Sequence, residues 1–252
     1  MKLVKGNIEA SILISSKNKF AIQNIVDNFK DNKAKHEIII AGPFSNYNEN
    51  NLKIINSYNK PPQCHLEAFK LSKGKLVSFL PDDLFFKEKN SLDKWLKLAN
   101  KNKKKLVSLR LLNKLNYDLN SYKYHPEIKA SPYLPIGPLL NRDLLRKIKI
   151  FDKRFNATLY DLDLYMRLLK RGYKVLFSKI KVQEKNYSSY SLNQDYNSQD
   201  RKLLNKLWTE KNSIGTTTIF GDKIFLKMRK KRLDKVQGYN FNKLNKPQGN
   251  LG

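Results

Sequence analysis

Apolar residues along the first two-thirds of the chain fall into short continuous runs that alternate with stretches of helical spacing. Ala10 to Ser15 is an apolar run of strand length, and Phe20, Ile22, Ile25, Val26 and Phe29 recur behind it on one helix face. His36 to Ala41 predicts a second buried strand, stopped by Gly42-Pro43, and Leu52 to Ile55 a third after an Asn-rich loop. Pro61-Pro62 opens a helix with Leu66, Phe69 and Leu71 among its apolar positions and Gly74 as its stop. Leu76 to Leu80 predicts a fourth strand, which runs directly into Pro81-Asp82-Asp83.

Ser91 can cap the next helix, which carries Leu92, Trp95, Leu96 and Leu98, and Leu106 to Leu112 predicts another strand. Strands alternating with helices in this order predict an α/β fold with a mainly parallel sheet and helices on both faces. Residues 113 to 135 are rich in Asn, Tyr and Lys and lack periodicity, so they read as a long loop, a length usually tied to function. Order returns at Gly137 to Asn141, followed by a short helix over Asp143 to Ile148 and the turn Phe151-Asp152-Lys153-Arg154-Phe155. A helix over Leu162 to Leu169 closes at Arg171-Gly172, and Tyr173 to Val182 predicts the final strand. The pattern places one domain at residues 1–185 and a basic, partly helical extension at 186–252, in which Arg201 to Trp208 predicts a helix.

Composition narrows the class. A chain of 252 residues that is 40% hydrophobic can bury a full core and is too apolar to be disordered. The one cysteine, Cys64, excludes an intrachain disulfide and a cysteine metal cluster, and reads as a small buried hydrophobe. No apolar run reaches the roughly 18 residues of a spanning helix, and Ser11 to Ser15 is too short for a signal peptide, so a cytoplasmic protein is expected.

Charge adds a second feature. Fifty Lys and Arg against 22 Asp and Glu give a formal +28, which favours anionic partners such as nucleic acid, acidic lipid or phosphorylated small molecules. Lys, Asn and Ile are all heavily used and lysine is scattered along the whole chain rather than striped, so a biased genome accounts for most of the charge, and no nucleic-acid-binding motif accompanies it, which weighs against a nucleic-acid partner. The densest block, Lys223 to Lys235, holds seven basic residues around Ile224, Phe225, Leu226 and Met228. Such a segment either lies on an anionic membrane surface, at the inner face, or is a solvated basic tail.

Two acidic constellations carry candidate chemistry. Asp82 and Asp83 follow a predicted strand at its carboxyl end, where ligands of open α/β sheets sit. The pair either stabilises a solvated turn or binds a hard divalent cation that also takes diphosphate oxygens. Asp161 and Asp163 open a predicted helix two positions apart and therefore point in different directions. They either suit the positive helix end or include a general base.

The order of these pieces resembles the family-two glycosyltransferases of GT-A fold over roughly residues 9 to 183. Leu71-Ser72-Lys73-Gly74-Lys75-Leu76-Val77-Ser78-Phe79-Leu80-Pro81-Asp82-Asp83 is similar to that family's helix, glycine, strand and D-x-D segment. Gly137-Pro138-Leu139-Leu140-Asn141-Arg142 with Phe151 to Phe155 resembles its acceptor-side strand and "FDerF" turn. Tyr160-Asp161-Leu162-Asp163-Leu164 through Arg171-Gly172-Tyr173 resembles its "ED-x-D-L…R-x-G" helix.

The resemblance implies a GT-A-like, Rossmann-like sheet and an inverting, metal-assisted transfer of the hexosyl type, from a nucleotide-sugar donor to a glycan or lipid-linked acceptor in cell-surface glycan biosynthesis. It implies that Ser15 and Ser16 line the nucleotide pocket and that Asp83 binds Mn²⁺ or Mg²⁺. Asp82 would touch the ribose or share the metal, and Asp161 would be the base with Asp163 in support. A non-catalytic nucleotide- or sugar-binding relative, or a basic nucleic-acid-binding protein, are the alternatives from other classes. The chain departs from the pattern at Ala41-Gly42-Pro43, where members carry an acidic pair that contacts the nucleobase. Pro81 stands for a further Asp, Tyr160 for a Glu, and Gln183-Glu184 occupies the region of a metal-binding His, while His36, His65 and His125 all lie upstream.

Overall fold

The computed structural model describes residues 7–112, 135–184, 194–211 and 217–219. The predicted loop at 113–135, apart from its last residue, and the basic block at Lys223 to Lys235 lie outside them. Packing divides the chain into two units, residues Met1–Leu207 and Trp208–Gly252. The boundary expected at 185/186 thus falls inside the first unit. In the second unit the described residues form one antiparallel pair, β10 (Thr209–Lys211) and β11 (Thr217–Ile219). Among the described residues no helix is long and apolar enough to cross a membrane.

The first unit is a mixed α/β fold built on two sheets. Four parallel strands, β1 (Ala10–Ser15), β2 (His36–Gly42), β4 (Leu52–Asn56) and β5 (Leu76–Pro81), form the core of a six-stranded sheet. Short antiparallel strands complete it at its edges: β3 (Tyr47–Glu49) beside β4, and β8 (Leu140–Asn141), which leads into the short helix α4 (Arg142–Arg146), beside β5. The order is β3-β4-β2-β1-β5-β8. The Asn-rich stretch is therefore a hairpin rather than a loop, turned at Asn50, whose φ of 53° lies where Asn is among the best-tolerated residues.

Strand alternation sends β1 and β2 side chains to two faces. Ala10, Ile12, Ile14, Ile38 and Ile40 pack with Ala21, Ile25 and Phe29 of α1 (Lys19–Phe29) and with Leu92, Trp95 and Leu96 of α3 (Ser91–Lys101). The opposite face is covered by α2 (Pro61–Leu71), which packs on β1 and β2. Helices on both faces explain why the middle of these strands is apolar on both sides, with Ile12, Leu13, Ile38 and Ile39 all buried.

A second, three-stranded sheet takes β6 (Leu84–Phe86), β9 (Lys174–Glu184) and β7 (Lys105–Leu112), with β9 in the middle, antiparallel to β6 and parallel to β7. Leu106 to Leu112, expected to extend the parallel sheet, pairs here instead. Periodicity reports burial, not which partner a strand meets. Trp95 ties the sheet to α3 by donating from Nε1 to the Val107 carbonyl at 2.8 Å.

Two local expectations are corrected. Helix α3 is preceded by Asn90 in a left-handed conformation, φ 55°, so Ser91 is its first residue, and its hydroxyl donates back to the Glu88 carbonyl. Helix α2 stops at Leu71, where the Ser72 hydroxyl donates to the Phe69 carbonyl at 2.7 Å. Gly74 serves a different purpose: a β-carbon there would overlap backbone atoms of Ala10 and Ser11. That close approach lets the buried Glu37 carboxylate gather Ser11 Oγ at 2.6 Å with the amides of Lys73 and Gly74, locking the amino ends of β1, β2 and β5.

Candidate functional site

The opposite, carboxyl ends of the same strands carry the acidic residues. Ser15 pairs with Ala41 of β2 and Pro81 of β5, so three strand ends lie side by side. Asp82 and Asp83 follow as a two-residue turn, and Leu84 already belongs to the second sheet. The turn is thus the point where the chain crosses from one sheet to the other.

Asp82 Oδ2 accepts a 2.6 Å hydrogen bond from the Ser16 hydroxyl. Ser16 Oγ in turn accepts from the Asn18 amide at 3.0 Å, and the Asn18 side chain caps α1 by accepting from Phe20. Asp82, Ser16 and the start of α1 are therefore one connected unit. Burial pushes the Asp82 carboxyl up, while the Ser16 bond opposes it. Asp83 is half-buried beside it.

Ala41-Gly42-Pro43, the departure from the acidic pair, has a steric reason. A β-carbon on Gly42 would overlap the Ser16 carbonyl oxygen. Gly42 also accepts from the Phe44 and Ser57 amides, each at 2.8 Å, so the backbone folds tightly over Ser16. No acidic side chain could stand at position 42 without displacing Ser16.

The second constellation opens α5 (Tyr160–Lys170) after Leu159, which holds a left-handed φ of 62°. Tyr160 is buried, and its hydroxyl shares a 3.0 Å hydrogen bond with His65 Nδ1 on α2. Phe79, Phe151, Tyr160 and His65 pack ring to ring, with Phe151 edge-on to both Phe79 at 4.8 Å and Tyr160 at 4.9 Å. Burial lowers His65 to a pKa of about 4, against the pull of the Leu80 and Leu13 carbonyls, so its ring is neutral. His65 is a packing residue that fastens α5 to the parallel sheet. His36 bridges the Ala34 carbonyl and Asn51, and His125 lies outside the described residues.

Asp161 and Asp163 part company. Asp161 accepts from the Leu162 amide at 2.9 Å, and burial raises it to a pKa of about 6. The Tyr160 phenol is pushed far up by burial, and the charges of Asp161 and Asp82 both add to that rise. Tyr160 and Phe79 share the rings of His65 and Phe151, so the start of α5 packs against the strand that leads into Asp82. Asp163 is buried against Arg167, which reaches it through Nε at 3.0 Å and a terminal nitrogen at 2.9 Å. Arg167 goes on to donate to the carbonyls of Lys149 and Ile150. Asp163 therefore steadies the arginine that holds the Phe151 turn.

In that turn Asp152 accepts from Arg154 through backbone and guanidinium and from Lys149 Nζ at 3.1 Å, which holds its carboxyl well below the usual range. The aspartate orders Phe151 and Phe155, both buried.

Sequence reasoning missed Asp200. It lies on α6 (Gln194–Trp208), within the first unit, and is fully buried. Its carboxylate accepts from the amides of Asn156, Ala157 and Thr158 at 2.7, 2.7 and 2.8 Å, immediately before α5. Backbone donors leave no trace in a sequence; the only signal was an acid at the head of the predicted Arg201 to Trp208 helix.

For a metal, the available donors are the Asp82 and Asp83 carboxylates. Among the described residues no group of three His, Cys, Asp or Glu side chains could hold an ion alone. Two hard oxygen donors suit Mg²⁺ or Mn²⁺ shared with substrate phosphates, which needs only one or two protein carboxylates. They do not suit an ion caged by protein alone.

No family model matches the chain, and no curated protein matches it. Among solved structures it is similar to S. aureus TarS, with a TM-score of 0.53 at 14% identity, covering 70% of this chain and 36% of that one. It is also similar to the crystal structure of S. aureus TarS 1-349, with a TM-score of 0.49 at 13% identity, covering 71% of this chain and 58% of that one. The chain thus matches little more than a third of the length of the first. At this identity the likeness is one of fold: the chain has the mixed α/β architecture of the TarS glycosyltransferase fold.

Proposed function

We propose that the chain is an inverting glycosyltransferase that moves a sugar from a nucleotide-sugar donor to a hydroxyl acceptor. The observation that carries the reading is Asp82, bonded to Ser16 at the carboxyl ends of the parallel strands, together with a half-buried Asp161 on a helix whose first residue, Tyr160, shares the rings of His65 and Phe151 with Phe79 of the strand that leads into Asp82. A fold alone does not assign chemistry; a carboxyl that titrates near 6, on a helix packed against the strand that ends in the acidic pair, supports it.

In this reading the donor's nucleoside lies over Ser15 and Ser16, with Asp82 toward the ribose. Asp83, with Asp82, would hold Mn²⁺ or Mg²⁺, which when bound stabilises negative charge on the diphosphate. With a pKa of about 6, Asp161 is mostly ionised at pH 7 yet basic enough to receive a proton. It removes the acceptor hydroxyl's proton as that oxygen bonds to the anomeric carbon, and the bond to the diphosphate breaks on the opposite face. One base and no protein nucleophile give inversion. Asp163, engaged by Arg167, acts by fixing the helix that carries Asp161. The acceptor is a glycan or lipid-linked glycan of cell-surface biosynthesis, and the Lys223 to Lys235 block would draw the enzyme to an anionic membrane face.

The test is a thermal-shift screen of nucleoside diphosphates and nucleotide sugars, each with and without Mn²⁺. A ligand that binds only the folded state raises the midpoint with its concentration. A metal-dependent rise with a nucleoside diphosphate, absent with random oligonucleotides, fits the proposal. No rise with any nucleotide at millimolar concentration removes it.

A further inference from the structure

The loop that delivers Asp161 is not held by its own neighbours in sequence. Asn156, Ala157 and Thr158 present three consecutive backbone N–H groups, and all three end on one carboxylate from a helix more than forty residues downstream. Oδ1 of Asp200 takes the Asn156 amide at 2.7 Å and its side-chain amide at 3.2 Å; Oδ2 takes Ala157, Thr158 and, at 3.4 Å, the Thr158 hydroxyl. Asn156 also accepts from Lys60 at 2.6 Å, just ahead of α2, the helix whose His65 grips Tyr160. The start of α5 is thus held at two points, at Tyr160 by His65 and at residues 156–158 by Asp200. Between the last clamped amide and Asp161 lie only Leu159, in its left-handed conformation, and Tyr160.

Charged acceptors that gather several backbone amides are among the stronger hydrogen-bonding arrangements, and a buried carboxylate without such donors is costly. We infer that Asp200 is the positioning residue of the proposed base: by capping the 156–158 amides from α6 it sets where the first turn of α5 carries the Asp161 carboxylate. Helix α6 is then part of the catalytic unit rather than of the extension. This role rests on the glycosyltransferase reading for its activity arm alone.

The experiment compares wild type, Asp200→Asn and Asn156→Ala in two ways. Backbone hydrogen exchange is followed at Leu162 and Asp163 in the first turn of α5 and at Ile12 and Ile38 in the parallel sheet. Asp200→Asn is expected to speed exchange at the two α5 amides at least tenfold more than at the sheet amides. An equal factor at both places means Asp200 supports only global stability and overturns the proposal. Should Asp200→Asn not fold, Asn156→Ala removes the side-chain leg of the clamp together with the Lys60 and Gln199 bonds, and Lys60→Ala removes the Lys60 bond alone; about threefold faster exchange at the α5 amides in Asn156→Ala than in Lys60→Ala supports the proposal, and equal exchange in the two overturns it. The second arm is turnover with a donor and acceptor pair. For Asp200→Asn, kcat is expected to fall about 10- to 100-fold with donor KM within about threefold, since small misplacements of a catalytic group cost this much. The acid limb of the pH–rate profile should move from near pH 6 toward pH 4 as water reaches Asp161. Unchanged kcat and midpoint overturn the positioning role. Wild type inactive with every donor would sink the glycosyltransferase reading, while the exchange arm would still decide the clamp.

Discussion

Replacing Asp161 with Asn should make the protein more stable at alkaline pH while destroying turnover. The carboxyl titrates near 6 in the folded chain against 3.8 in an unfolded one, because burial disfavours its charge. Below pH 3.8 it is protonated in both states and contributes nothing. Between 3.8 and about 6 the folded state binds more proton than the unfolded state, so stability falls as pH rises, and above 6 the full cost remains. The gap corresponds to at most about 3 kcal/mol, and partial exposure of the side chain brings the expectation to roughly 1–3 kcal/mol. Asn keeps the oxygen that accepts from the Leu162 amide, so the local bond survives the change. Urea unfolding of wild type and Asp161→Asn at pH 4 and pH 8 measures the difference directly. The variant should gain 1–3 kcal/mol at pH 8 and little at pH 4. A variant equal to or less stable than wild type at pH 8 would refute a desolvated carboxylate at this position. With a substrate pair, the same variant should lose about 10²–10⁴-fold in kcat with donor affinity nearly intact; near-wild-type turnover would show that another group is the base.

Four further outcomes follow from the same structure. Asp83→Asn should weaken Mn²⁺-dependent nucleoside-diphosphate binding more than Asp82→Asn, as titration calorimetry would reveal; equal binding by both variants and wild type removes the metal role. Asp163→Asn should lower stability by about 3 kcal/mol or somewhat less, because it strands Arg167 half-buried, and urea unfolding that matches wild type would contradict the ion pair. Gly74→Ala should cost roughly 1–3 kcal/mol through overlap with the Ala10–Ser11 backbone, read by the same unfolding midpoint. His65, neutral when folded with a pKa of about 4, should make stability fall as pH drops from 6.5 toward 4, and a leucine there should flatten that limb of the urea stability–pH curve.

How much of this was legible beforehand depends on what each feature is made of. Strands β1, β2 and β5 each hold a mostly apolar run at their centre, and covering on both faces is the condition that produces such runs. The hairpin at Tyr47–Glu49 was hidden because its residues are exposed and polar, leaving only the left-handed Asn50 as a mark. The division into two sheets was hidden because Leu84–Phe86 is three residues long and its partner lies at Val182–Glu184. At the site, spacing placed Asp161 and Asp163 on different sides of a helix without saying which side met Arg167. The Asp200 clamp escaped altogether, since its donors are backbone amides that any sequence supplies.

The passage of the chain through Asp82 and Asp83 also orders events in time. On the amino side of that turn β5 pairs with β1, a closure of 66 residues, while on the carboxyl side Leu84 meets Glu184, a closure of 100. Contacts that close longer loops are reached later, because the entropy of closure is spent before the contact returns anything. The parallel sheet can therefore form with its acidic turn fastened at one end only. The second fastening waits for β9, and the clamp on the Asp161 helix waits for residue 200. A nascent chain stalled short of α6 is therefore expected to form the parallel sheet without the Asp200 clamp on the start of α5.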